Sequence, residues 1–343
     1  MKKQQATEYM YASARVRALE SYMVGQERLP ALVDAKDKRE VLVRLSEYGE
    51  IYHLSVPTHP GVDALALSQA TEEMLLSLLT QAYREVWEAV PDIDVYRHFK
   101  YPYDCNNVKA VLKGEVRGAD VGDMLFDFGS VSVHELTAAF SEERHTVLPT
   151  HMAKAVVDAK EAYAQTADPQ VIDKILDRAC YADMLESAER CGCDAICDWV
   201  REKIDLTNIM ICLRILRLKR GETGKLFMKE TLIEGGHLPL SFFEDAYDNG
   251  EDALLSSLGV RYDSFATEVA SSDRSLATIE KLADDQYMRI VKRDAKVPFG
   301  AEVAGGYLVG WEMAVKNIRI ILAAKDAGIS ADVVRERLRE SYV

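Results

Sequence analysis

The chain has 343 residues, 48% of them hydrophobic, which is ample for two or three domain cores and too apolar for a disordered protein. Its 42 Lys and Arg stand against 56 Asp and Glu, a net charge of −14. Nucleic-acid backbones and anionic membrane surfaces both call for a basic face, so neither is an expected partner.

The N-terminal MKKQQATEYMYASARVRALE carries two lysines with no apolar segment after them, so it does not read as a secretory signal. Without export, the cysteines at 105, 180, 191, 193, 197 and 212 are expected to be reduced thiols in a cytoplasmic protein. Residues 68–90 place Met74, Leu75, Leu78, Leu79, Ala82 and Val86 on one helical stripe, and 151–164 and 171–190 have the same period. The segment 206–218 is apolar almost all round, through Leu206, Ile209, Met210, Leu213 and Leu216. That predicts a helix buried on several sides, between neighbouring units. Over 311–325, Glu312, Lys316 and Arg319 share one side and Trp311, Val315, Ile318 and Leu322 another. Arg214, Arg217, Lys316 and Arg319 interrupt the most apolar helices, so no membrane insertion is expected. No run alternates as a strand would. The prolines fall at joints, among them Pro57, Pro91, Pro102, Pro149, Pro169, Pro239 and Pro298, so the fold class is all-α.

The chain also repeats itself. NVKAVLKG, NIMICLRILRLKRG and NIRIILAAKDAG each place an asparagine, a β-branched residue and a leucine alike: Asn107, Val108, Leu112; Asn208, Ile209, Leu213; Asn317, Ile318, Leu322. After each come a glycine-containing turn, an aliphatic residue, a serine or proline, and another helix: Val131-Ser132, Leu238-Pro239 and Ile329-Ser330. Serine caps a helix N-terminus through its hydroxyl, proline tolerates the first turn, and the aliphatic residue staples the entry. A fainter copy opens the chain, where ARVRALESYM precedes Leu29-Pro30, and tyrosines 83, 181 and 287 lie upstream of the three asparagines. The copies recur at intervals of about a hundred residues, which divides the chain into 1–103, 104–204 and 205–343, the last carrying an additional C-terminal helix pair. Three related helical bundles make either a pseudo-threefold body or a short curved solenoid.

No catalytic constellation emerges. GETGK at 221–225 has Lys219 where a phosphate loop needs its first glycine and Leu226 where it needs Ser or Thr. Cys193 and Cys197 share a helical face beside Cys191, but no further ligand pair lies at the spacing a structural zinc site requires. Glu50–His53 and Glu142–His145 are both E-x-x-H pairs, as in di-iron bundles, yet they lie one repeat apart, so repetition alone accounts for them. No cofactor is implied.

The C-terminal third, PFGAEVAGGYLVGWEMAVKNIRIILAAKDAGISADVVRERLRESY, resembles the end of the C subunit of archaeal and bacterial V-type ATPases, equivalent to the d subunit of the eukaryotic enzyme. The resemblance rests on Phe299, Gly300, Glu302, Tyr307, Leu308, Lys316, Asn317, Arg319, Lys325, Gly328, Arg335, Arg337, Leu338 and Tyr342. At the N-terminus it rests on Tyr11, Ala14, Arg15, Arg17 and Glu20. Val303 and Ala314 depart from the usual proline and glutamate. The resemblance implies three similar helical domains around a pseudo-threefold axis, in a funnel. It also implies a non-catalytic rotor part between the D and F subunits of the central shaft and the membrane ring of proteolipids, peripheral to the cell membrane. In such a complex ATP hydrolysis or synthesis is coupled to proton or sodium transport. Arg15, Arg17, Glu302, Lys316 and Arg319 are the candidate partner-interface residues, with salt bridges among the chain's own helices as the alternative role for each. The competing readings of the whole chain are a helical-repeat scaffold outside the rotary ATPases and a metal-dependent helical enzyme using His53, His145 or Cys193.

Overall fold

A computed structural model describes residues 6–48, 64–218 and 221–343. In chain order its helices are α1 (Met10–Glu20), α2 (Leu29–Val33), α3 (Lys38–Tyr48), α4 (Ala64–Ala89), α5 (Tyr101–Arg117), α6 (Val133–Ser141), α7 (Thr150–Thr166) and α8 (Gln170–Cys191). They continue with α9 (Asp194–Leu218), α10 (Glu222–Thr231), α11 (Leu240–Asn249), α12 (Glu251–Ser257), α13 (Asp263–Ser271), α14 (Leu276–Asp294), α15 (Ala301–Asp326) and α16 (Ala331–Arg337). Short 3-10 turns join several of them, and no strand occurs among the described residues, so the all-α reading holds.

The chain forms two compact units. One is Ile93–Ala270; the other combines the described residues up to Asp92 with Ser271–Val343. In the first, α8 packs on α7, α5 and α9. Its α9 buries Leu206, Ile209, Met210, Leu213 and Ile215, as its apolar composition demands, while Leu218 at its end is left exposed. In the second, α15 packs on α4, α1 and α14. Trp311, Val315, Ile318 and Leu322 are buried and Arg319 faces outward, matching the two sides expected from sequence.

The asparagines explain the recurring pattern. Asn107 Nδ2 donates to the Phe126 carbonyl at 2.8 Å, and the Phe126 N–H donates back to its Oδ1 at 2.9 Å. Asn208 closes the same pair on Ile233 at 2.8 and 2.9 Å. Asn317 closes it on Arg339 at 3.0 and 2.8 Å. An amide side chain offers one donor and one acceptor side by side, so it satisfies both polar groups of one backbone residue in a loop that no ladder could satisfy.

In the Ile93–Ala270 unit a carboxylate three residues before the asparagine extends the clamp. Asp104 accepts the N–H groups of Ser130 and Val131 at 3.0 and 3.1 Å. Asp205 accepts those of His237 and Leu238 at 3.0 and 3.1 Å. A Cβ on Gly129 or Gly236 would overlap that carboxylate, so glycine is what admits it. The next residue in each case, Ser132 or Pro239, is the N-cap of α6 or α11, and Ser132 completes a capping box with Glu135.

The Asn317 clamp is built differently. Ala314 replaces the aspartate, and the clamped Arg339 lies beyond α16 rather than ahead of its Ser330 cap. Ser330 has the same extended backbone as Ser132 and Pro239, with φ −64° and ψ 150°, but its hydroxyl makes no cap bond. Asp285 of α14 accepts the next amide, that of Glu340, at 2.6 Å. Tyr342 then lies against Gly306 and Gly310 of α15, where a Cβ would stand 2.8 and 2.7 Å from its ring atoms or hydroxyl.

Candidate functional site

The five residues singled out from sequence lie on α1 and α15, which pack together within one unit. Arg15 Nε donates to Glu85 Oε2 at 3.0 Å and its Nη2 to Glu88 at 3.1 Å, and Glu85 holds the guanidinium above its ordinary pKa. Arg17 donates to Glu20 at 2.8 Å and to the Ala295 carbonyl. Lys316 meets Asp284 at 2.5 Å, sharing it with Arg339 at 2.9 Å. Arg319 meets Glu72 at 2.9 Å with both side chains close to half exposed. Glu302 sits in the first turn of α15, where a carboxylate complements the helix dipole. The structure thus engages the four cations with acids of their own unit. Nor do they converge: Arg15 and Arg319 anchor to α4 at Glu85 and Glu72, about 20 Å apart along a helix rising 1.5 Å per residue.

The chemistry candidates are likewise placed. Glu50 and His53 lie outside the described residues. Glu142 ends α6 and pairs with the exposed Arg144 at 3.2 Å, while His145 packs its ring on Phe140 with centroids 4.9 Å apart. Cys191, Cys193 and Cys197 sit half-buried at the α8–α9 joint, where the Cys193 N–H donates to Cys191 Sγ at 3.4 Å. Burial pushes Cys212 up to about 12, well away from thiolate chemistry. Gly221 starts α10, and Lys225 of the GETGK stretch pairs with Asp248.

Among the described residues one group gathers three ligand-type side chains, His151, Asp183 and Glu186. Asp183 is spent on the N–H groups of His151 and Met152, at 2.9 and 2.8 Å, which stabilise the first turn of α7. A cavity of about 300 Å³ lies between α2, α14 and residues 335–341, but its Lys281 already pairs with Asp285 at 2.6 Å and its Arg335 with Asp332 at 2.8 Å.

Sequence reasoning missed Asp104 and Asp205, the two carboxylates that do most to fix the loops. Their signal was available: an aspartate three residues before the repeated asparagine and a glycine three residues before the repeated cap. Around Asp205 the clamp grows into a network that runs from the core to the surface. The Tyr262 hydroxyl donates to Asp205 at 2.6 Å, and Arg261 donates to Glu202 at 2.7 Å and Asp198 at 2.6 Å. Burial raises the carboxyls of Asp104, Glu202 and Asp205, opposed by these hydrogen bonds. What recurs in the molecule is therefore loop fixation by buried polar side chains.

Comparison with known proteins returns a family model described as ATP synthase (C/AC39) subunit, matched over residues 12–337. The chain is 24% identical over 260 residues to the C subunit of the V-type sodium ATPase of Enterococcus hirae, covering 74% of this chain and 77% of that protein. It is 23% identical over 348 residues to the C subunit of the A-type ATP synthase of Thermococcus gammatolerans, covering 97% and 90%. The corresponding protein of Methanocaldococcus jannaschii is 23% identical over 353 residues, covering 96% and 86%.

Proposed function

Because the chain belongs to the ATP synthase (C/AC39) subunit family, we propose that it is the adapter of the central rotor. In this reading it joins the D and F subunits of the shaft to the membrane proteolipid ring and couples ATP hydrolysis or synthesis to proton or sodium transport. As a C subunit it is part of a V/A-type ATPase complex, in a family generally without catalysis of its own. No helix of the described residues is long and apolar enough to cross a membrane. The reading therefore places the chain at the membrane periphery, held there by its partners.

The observation that carries this proposal is the family match along nearly the whole chain. The physics of the role agrees with it. A part that transmits torque must not yield, and loops pinned by buried amide and carboxylate clamps resist yielding more than loops held by water. The division 1–103, 104–204 and 205–343 into related bundles arranged as a pseudo-threefold funnel belongs to this proposal and rests on the sequence repeats and on what the family resemblance implies. Arg15, Arg17, Glu302, Lys316 and Arg319 remain the proposed contact residues. Of their ion pairs, that of Arg319 with Glu72, with both side chains close to half exposed, is the one exchanged for a partner's charge at least cost.

The test is co-purification from native membranes through a tag on this chain, with mass spectrometry of the bound proteins. Recovery of shaft subunits and an apolar ring protein, both lost after a chaotrope wash, is the expected result. A stable set of partners unrelated to a rotary ATPase would overturn the proposal.

A further inference from the structure

The loop between α5 and α6, residues 118–132, breaks the usual rule of apolar residues inside. Met124 is 62% exposed and Phe126 46% exposed. They are not loosely held. Asn107 grips both backbone groups of Phe126, Asp104 grips Ser130 and Val131, and the neighbouring Phe128 is buried against Tyr103 with ring centroids 4.7 Å apart. The same clamp at Asn208 turns the equivalent residue, Ile233, inward to 3% exposure. The clamp therefore does not require its residue to face solvent. At Phe126 it presents a large ring outward on a fixed backbone.

The charged residues of the loop itself have one sign. Asp120, Asp123 and Asp127 are all exposed. Asp120 is occupied with the Gly122 N–H at 2.9 Å and Asp127 with the Val133 N–H at 2.8 Å, so both shape the loop. On the chain leading into the loop, Arg117 ends α5 and Lys100 is drawn in over the Phe128 ring at 5.0 Å. Burial lowers the Lys100 ammonium, with Asp104 and Asp127 opposing that effect.

We propose that residues 120–127 are a docking surface for a basic amphipathic helix of a neighbouring protein of the complex. Met124 and Phe126 enter its apolar stripe, and its flanking Lys and Arg meet Asp120, Asp123 and Asp127. Rigid presentation lowers the ordering cost of binding, and aromatic residues and methionine are enriched at interface cores ringed by a polar rim. The three carboxylates set partner choice and encounter rate more than affinity. They also select the occupant. An anionic lipid surface would be repelled, and a second copy of a chain with net charge −14 brings further negative charge. The proposal rests on membership of the complex and not on the rotor-adapter reading.

The experiment places p-benzoylphenylalanine at position 126 in the purified complex, irradiates it, and identifies the cross-linked peptide by mass spectrometry. One segment of a neighbouring protein, net positive and with apolar residues three to four apart, is the expected product. The double variant Met124→Ser/Phe126→Ser should lower retention of this chain in the complex at least about tenfold, with the melting temperature of the isolated chain unchanged. Asp120→Lys/Asp123→Lys should lower retention about threefold and remove most of its salt dependence. A cross-link to lipid, to a second copy or to an acidic segment would overturn the proposal. So would the absence of any cross-link, or wild-type retention of the Met124/Phe126 variant. A basic helix from a protein that belongs to neither shaft nor ring would leave this surface standing and remove the adapter reading.

Discussion

The joints at Asn208 and Asn317 make the same two hydrogen bonds and support them by different means. At Asn208 the support is charge: Asp205, on the same helix, takes two further amides and the Tyr262 hydroxyl. At Asn317 the acids come from another helix, with Asp284 of α14 taking the Arg339 side chain at 2.9 Å, and close fit is added to them. Ala314 offers no carboxylate, Asp285 of another helix takes one amide, and Tyr342 closes the joint by lying on the glycine face of α15. A repeated backbone solution thus survives the loss of its own helix's acid when acids of a neighbouring helix and close packing replace it.

Four measurements break or sharpen that contrast. The largest effect is expected for Asn208→Ala, which strands the buried N–H and carbonyl of Ile233. Each unsatisfied group costs roughly 1–3 kcal/mol, so the loss should be about 4 kcal/mol by urea titration, with hydrogen-exchange protection falling over 232–238. A loss below about 1 kcal/mol would mean that the charge network alone holds this joint. Gly310→Ala should cost about 2 kcal/mol, because its Cβ would stand 2.7 Å from the Tyr342 ring. The lost protection should centre on 338–342, with a smaller loss near Met23, whose Cε would also stand 2.7 Å from the new Cβ, and a neutral result would show that fit is not part of what supports the Asn317 joint.

The third measurement uses pH. Burial, with a lesser push from Lys203, lowers His98 of the Ile93–Ala270 unit from 6.5 to about 3. A depressed folded-state value means that its contribution is complete above pH 6.5 and is lost as pH falls toward 3. At about pH 5 the loss should be near 2 kcal/mol, and His98→Phe should remove it from the difference between the variant and wild-type stability curves. Equal pH dependence in the two proteins would show that His98 does not titrate in this way. The smallest effect belongs to Arg319→Ala. Its exposed pair with Glu72 should contribute less than about 0.5 kcal/mol to the stability of the isolated chain. Weakened assembly of the complex would then report an interface role, and full assembly would leave Arg319 with its intramolecular pair alone.

Much of this was legible in the sequence. Helical period and proline placement suffice for an all-α chain, and the helix starts at Ser132, Pro239 and Ser330 were readable because start signals are local, although the Ser330 hydroxyl makes no cap bond. The asparagines announced themselves by repetition, but not their purpose. Asn107 reaches a residue 19 positions away and Asn208 one 25 positions away, and loops of different length leave no fixed spacing to find. Asp104 and Asp205 were harder still, since acids on helices are ordinarily read as solvated. Only the structure brings Gly129 and Gly236 against them. The equivalence expected between Ile329-Ser330 and the other caps holds in backbone angle and fails in position relative to the clamp, because Arg339 follows α16. The exposed Phe126 carries no sequence signal, as an apolar residue in a loop reads as buried until its surroundings are known.

The coupling role is tested most directly by depletion and add-back. The complex is purified without this chain, reconstituted into vesicles, and assayed for ATP hydrolysis and ion uptake before and after the purified chain is returned. The adapter role predicts hydrolysis by the depleted complex with no ion uptake, and uptake restored by the returned chain. Ion uptake that persists without it, or hydrolysis that vanishes with it and returns only on its addition, would contradict that role.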